Sequence, residues 1–240
     1  MANAFWCIVE DDRQGTPKKV MAEVIGEAAR LSSGQAEAVW FTDKATEAGL
    51  KQLAEWGANK VWLLENAAFA PYRSEIWTGA AAELAAKATP KAILAPVTSR
   101  QREFMARLAA KLGVGLSADS VALAMNGDAL VATRPVYAGK LLSKVTWAKQ
   151  PWMATLRPNV FKPAEAQAGV LHQPHLLGTP RAELQKPVVS GLVRQPQGLD
   201  RAAEARGLAD HLGHHLLRLP FTIVFDHAPE RASHFCFSCS

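Results

Sequence analysis

Much that would sort this chain quickly is missing from it. No apolar run approaches the roughly 20 residues a membrane-spanning helix needs; stretches such as Val61-Trp62-Leu63-Leu64 are short and broken by charge. Three cysteines in 240 residues are too few for a disulfide framework. Lys and Arg are scattered, with no block of about five or six. The net charge of +5 and pI near 9.2 therefore describe a solvated surface, and no nucleic-acid partner is expected. Met1-Ala2-Asn3-Ala4 carries neither a basic n-region with a cleavage site nor an Arg/Ser-rich presequence. That points to the cytoplasm, of a bacterium. Glycine is also absent where nucleotide enzymes need it. Glu10-Asp11-Asp12-Arg13-Gln14-Gly15 holds a single glycine, and Gly139-Lys140 runs into Leu141 with no glycine five residues earlier. A plain dinucleotide fingerprint and a phosphate-cradling loop are both excluded.

What is present is a globular composition, 49% apolar and 20% charged. At roughly 150 residues per domain, it fits one large domain or one domain plus part of a second. The first 115 residues alternate. Strands are expected at Phe5 to Glu10, Ala38 to Thr42, Lys60 to Glu65 and Lys91 to Val97. Between them, Val20, Val24, Ala28 and Leu31 recur at helical spacing behind Pro17, which a first helical turn tolerates. A second helix carries Leu50, Leu53 and Ala54, with Asp43 or Thr46 as its cap. A third spans Ser74 to Ala88. A fourth, capped by Ser99, presents Phe104, Leu108 and Leu112. Strands alternating with helices of this length predict an α/β fold: a parallel sheet flanked by helices, with any ligand at the carboxyl ends of its strands.

After Gly115 the pattern changes. Ser120 to Met125 and Ala129 to Arg134 flank Asn126-Gly127-Asp128, a hairpin signal because Asn-Gly accepts a type I′ turn. Lys140 to Trp147 and Pro151 to Leu156 are two further strands, so antiparallel β-hairpin strands are expected to append to the parallel sheet. Pro158 to Pro187, punctuated by Pro163, Pro174 and Pro180, reads as a linker. Beyond it come a short strand, Pro187 to Gly191, and a helix, Ala202 to Leu212. They suggest a partial second α/β domain.

Chemistry is sparse. Ser99, with Arg100 and Arg102 beside it, opens a helix whose amides can hold an anion; an ordinary N-cap with solvated arginines is the preferred reading. Glu10, Asp11 and Asp12 read as a solvated strand exit. Arg134-Pro135-Val136-Tyr137-Ala138-Gly139-Lys140 is either a contact loop at a subunit or cofactor boundary or an ordinary turn with Tyr137 packed in the core. His234, Cys236 and Cys239 offer three soft ligands where a structural zinc wants four, so no metal is expected. Cys7 reads as a small core hydrophobe. No catalytic set stands out.

The motifs resemble one family. Ala95-Pro96-Val97-Thr98-Ser99-Arg100 is similar to the "fPATSRGRD" segment of electron-transfer flavoprotein alpha subunits. Leu108 to Leu116 resembles the "LAARLGAGL" that follows it, and Thr133 to Lys140 looks like the family's "TRPVYGGKA". Trp6 to Glu10 and Tyr72 also fit. The resemblance covers about residues 5–165. It implies a Rossmann-like, adenine-nucleotide-hydrolase-like N-terminal domain over 1–165, a linker over 166–186 and the remnant of an FAD-binding domain over 187–240. It also implies a heterodimer with a beta subunit that carries AMP. FAD would take electrons from acyl-CoA-type dehydrogenases, as in fatty acid beta-oxidation, and pass them to a quinone reductase, making the chain an electron carrier and not an enzyme. The alternative is a non-redox scaffold that docks the beta subunit without flavin. Within the family's "VVSGGRGL" segment, Val188-Val189-Ser190-Gly191 matches, so the resemblance assigns Ser190, Gly191 and Arg194 to the cofactor. After Gly213 correspondence ends. The tail, 214–240, is expected to be a frameshifted or prematurely ended product. The coding DNA tests this: the neighbouring frame should encode the missing glycine motifs, and its failure to do so disproves the idea.

Overall fold

The alternating apolar runs become strands because each is buried on both faces of one sheet. The computed structural model describes residues 4–164, 175–176 and 223–226. Its elements are β1 (Phe5–Ile8), α1 (Val20–Leu31), β2 (Ala36–Thr42), α2 (Glu47–Glu55), β3 (Lys60–Glu65), α3 (Ser74–Ala88), β4 (Ala92–Pro96) and α4 (Ser99–Leu112). There follow β5 (Leu116–Ser120), β6 (Ala122–Asn126), β7 (Ala129–Val136), β8 (Leu141–Val145), β9 (Trp152–Leu156), β10 (His175–Leu176) and β11 (Ile223–Asp226). Among the described residues no helix is long and apolar enough to cross a membrane.

The main sheet has the order β10-β3-β2-β1-β4-β9-β5, and all its pairings are parallel. Side chains on successive strand residues point to opposite faces, so the core divides in two. Phe5, Cys7 and Val9 pack with α1, Leu53 of α2, and Leu130 and Ala132 of β7. Trp6 and Ile8 face the other way, toward Trp77 and Leu84 of α3 and Phe104 and Leu108 of α4. Phe41, Phe69, Trp77 and Phe104 stack there with ring centroids between 5.1 and 6.2 Å apart. That spacing adds stability beyond area burial alone. Cys7 is fully buried, and burial, then the charge of Glu37, pushes its thiol far up. It is a core hydrophobe.

Several expectations are corrected. Pro151 to Leu156 does not append antiparallel: β9 inserts between β4 and β5 and runs parallel to both. Its residues are all buried, and burial on both faces is what a central parallel strand supplies. The expected parallel sheet flanked by helices and the antiparallel hairpin strands beside it are both present, the latter as the sheet β11-β8-β7-β6. Leu116–Ser120 was not foreseen as a strand because its run is polar. The two-residue hairpin loop is Gly127-Asp128, since Asn126 pairs with Ala129. Of these two only Gly127 has positive φ, 57°, which fits a type II′ turn and not I′. Pro17 stands before the helix, bridging Asp11, and α1 starts at Val20. Two short strands, β10 and β11, fall in stretches read as linker and tail.

The loop joining β7 to β8 is strained. Tyr137, Ala138 and Gly139 have φ of 50°, 54° and 86°. Non-glycine residues in that region cost about 1–3 kcal/mol each. Tyr137 is 71% exposed, so it is not the packed core residue of the ordinary-turn reading.

Two helix glycines make a matched test. A Cβ on Gly49 would meet the Gly15 carbonyl oxygen at 2.7 Å, the Trp40 ring at 2.8 Å and Pro17 Cδ at 2.9 Å, whereas one on Gly79 meets nothing within 4 Å. Gly79→Ala should stabilise by up to about 1 kcal/mol through helix propensity. Gly49→Ala should destabilise by about 1–3 kcal/mol through overpacking. Urea unfolding midpoints check both.

Candidate functional site

In an open parallel sheet the ligand crevice lies at the carboxyl ends of the strands, where the strand order reverses. Here that point is between β1 and β4, because β2 and β3 build out to one side and β9 and β5 to the other. A cleft of about 530 Å3 opens there, lined by residues including Asp12, Arg13, Lys18, Tyr72, Ser99 and Glu103.

Its floor is a buried ionic cluster. Glu10 and Asp11 leave the end of β1 at 3% and 4% exposure. Arg100, in the first turn of α4, reaches both: Nε donates to Glu10 Oε2 at 3.2 Å, and one terminal nitrogen donates to Asp11 Oδ1 at 3.0 Å. The same nitrogen lies 3.1 Å from Glu10 Oε1. Trp40 Nε1 donates to Asp11 Oδ2 at 3.0 Å. Lys18 Nζ and Thr98 Oγ1 donate to Glu10, each at 3.2 Å. The guanidinium also lies over the Trp77 ring. Burial pushes the Arg100 pKa down, but the hydrogen bond and charge of Glu10, then those of Asp11, outweigh it and hold the net shift upward. Tyr72 donates to the Arg100 carbonyl oxygen at 3.4 Å, and burial, then Glu103, pushes its phenol up to about 12.

This overturns two sequence readings. Glu10 and Asp11 are not a solvated strand exit, and Arg100 is not a solvated arginine. The N-cap of α4 is Thr98, whose side chain accepts from the Gln101 amide, and not Ser99. Thr46, and not Asp43, caps α2 in the same way. Asp12 is exposed and accepts the Gln14 and Thr16 amides, which lower its pKa. The crevice does not fit a phosphate chain: Arg100 is taken up by Glu10 and Asp11 and Lys18 by Glu10, so neither cation is left for an anion.

Further along the same edge the charge reverses. Asp119, at the end of β5 with φ of 60°, is gripped by both arms of the Arg157 fork. That bond lowers its pKa most, with Arg157, Arg102 and Arg134 adding positive charge. One guanidinium thus holds the carboxylate directly and two more bear on it by charge, a grouping sequence spacing did not signal because the residues come from α4, β5, β7 and the end of β9. Nε of Arg134 is buried without a hydrogen-bond partner among the described residues. The cofactor candidates Ser190, Gly191 and Arg194, and His234, Cys236 and Cys239, lie outside the described residues. Among the described residues no group of three or more His, Cys, Asp or Glu is placed to hold a metal ion.

Comparison with known proteins adds to this geometry. The electron transfer flavoprotein domain model matches residues 5–173. An electron transfer flavoprotein subunit alpha of Syntrophomonas wolfei is 34% identical over 72% of this chain and 54% of its own length. Protein FixB of Clostridium saccharobutylicum is 33% identical over 65% of this chain and 48% of its own. A subunit alpha of Thermoanaerobacterium thermosaccharolyticum is 32% identical over 67% and 49%. The chain thus spans about half the length of the curated relatives it matches.

Removing the central cation should be costly. Arg100→Met leaves Asp11 buried without a cation and Glu10 with Lys18 alone, and should lose about 3–5 kcal/mol in urea unfolding at neutral pH. A second test uses acid. The Asp119 pKa is lowered, so its contribution is present above the unfolded value and is lost as pH falls through the folded one. Asp119→Asn should be less stable than wild type at neutral pH. The gap in thermal midpoint should close only below the ordinary carboxylate range.

Proposed function

We infer, because this chain belongs to the electron transfer flavoprotein domain family, that it acts as an alpha subunit paired with a beta subunit that carries AMP. In that reading FAD supplies the redox step, taking electrons from acyl-CoA-type dehydrogenases and passing them to a quinone reductase in the cytoplasm. The chain itself is a carrier and scaffold, not an enzyme. The observation that carries the reading is the domain match over residues 5–173, which spans the main parallel sheet from β1 to β9.

Residues 1–165 form the docking domain, 166–186 the linker and 187–240 the flavin-facing part. The described crevice does not fit a phosphate chain, so flavin is not assigned to it. Ser190, Gly191 and Arg194 are the residues proposed to face the cofactor. The glycine would let the backbone approach the phosphates, and the arginine would face the flavin.

One observation favours a second reading. The cations of the crevice are taken up by its own carboxylates. A non-redox scaffold that docks a beta subunit without flavin needs no free cation there.

Co-purification with the beta subunit, followed by a visible absorbance scan, separates the two. A yellow one-to-one complex is expected for the carrier. A colourless one-to-one complex overturns the carrier and leaves the scaffold, and no complex overturns both.

A further inference from the structure

We propose that residues 158–164 form a releasable clasp, which sets where the chain leaves the parallel-sheet domain and on how long a tether. The inference needs neither flavin nor a beta subunit, so it stands or falls apart from the reading above.

Pro158 reads from the sequence as the start of a linker, yet the chain is held to the domain as far as Ala164. At the near end, the Arg157 amide donates to the Ser120 carbonyl oxygen at 2.9 Å and its guanidinium grips Asp119. That ties the end of β9 to the end of β5. The next hold is Glu23, in the first turn of α1. One carboxylate oxygen accepts the Asn159 amide at 3.1 Å, and the other accepts the Phe161 amide at 3.4 Å. Two nearby amides converge on one carboxylate where Asn159 turns the chain, with φ of 61°. Asparagine tolerates that conformation better than most residues. Phe161 then packs against the core cluster that contains Met21 and Val24.

At the far end, the Ala164 amide donates to the Ala22 carbonyl oxygen at 3.0 Å. Four residues on, and so on the same face of α1, stands Gly26. A Cβ there would lie 2.8 Å from the Ala164 nitrogen and 3.1 Å from its Cα. Glycine inside a helix is unfavourable; here it makes the notch in which the chain is seated. The chain therefore departs from the flank of α1 and not from the end of β9. None of the holds on 158–164 belongs to a strand ladder, and Asn159, Val160, Lys162 and Pro163 are exposed. A segment held in this way opens locally more readily than the core. Opening frees 158–164, which fully extended span about 23–25 Å, so the clasp governs the reach of whatever follows Ala164.

Amide hydrogen exchange of the full chain, read residue by residue by NMR, tests this. In wild type the Asn159, Phe161 and Ala164 amides should exchange at least tenfold more slowly than in an unstructured peptide, yet at least tenfold faster than the hydrogen-bonded amides of β9. Glu23→Ala should cost Asn159 and Phe161 at least fivefold in protection while β9 keeps its own. Glu23→Gln retains one acceptor oxygen and should keep part of it. Gly26→Ala should expose the Ala164 amide, and it should not raise the melting temperature as an alanine at the open Gly79 does. Unstructured-peptide rates in wild type overturn the clasp. Exchange in step with β9, or protection unchanged in both Glu23→Ala and Gly26→Ala, overturns it equally, because the segment is then a fixed part of the fold or is held by other contacts.

Discussion

A guanidinium clamped between two buried carboxylates governs what the carboxyl edge of this sheet can do. Arg100 ties the end of β1 to the first turn of α4 through Glu10 and Asp11, and Trp40, Lys18 and Thr98 complete the set of donors. None of the three charges is affordable alone. Desolvating one ion costs several kcal/mol, and only mutual pairing with further hydrogen bonds offsets it. The cluster therefore behaves as one unit. It fixes the start of α4 and the loop after β1, and its own ion pairs occupy the position where a doubly wound sheet otherwise receives phosphates.

Positive charge gathers elsewhere on this edge. Arg157 grips Asp119 at the end of β5, and Arg102 and Arg134 add their charge to it. The β7–β8 loop, with Tyr137 71% exposed, carries none of the buried pairing that ties β1 to α4.

How much of this was legible in the sequence depends on the range of the forces involved. β1 to β4 and their helices follow from local periodicity and capping, so they stand close to where they were expected. β9 was recognised as a strand and given the wrong partners, because its insertion between β4 and β5 is set by contacts more than 30 residues away in sequence. β5 was missed because Ser117, Asp119 and Ser120 break its apolar run. The candidate site was legible in its parts and not in its assembly. Arg100 was noticed as a helix-start arginine and Glu10 and Asp11 as a strand exit, but the 89 and 90 residues that separate them hide the ion pair. The Asp119 cluster gave no sequence signal. The Thr133 to Lys140 motif flags the strained loop, and exposure removes the reading in which Tyr137 packs in the core.

The central claim is that the switch-point crevice is closed to nucleotides by its own ion pairs. Calorimetric titration of the chain without its partner, using AMP, tests it most directly. The account predicts no saturable heat, and none after Arg100→Met either, since that change leaves the carboxylates in place. Saturable one-to-one binding of AMP by the wild-type chain, abolished when Ser99 or Arg13 at the cleft mouth is replaced, would contradict it.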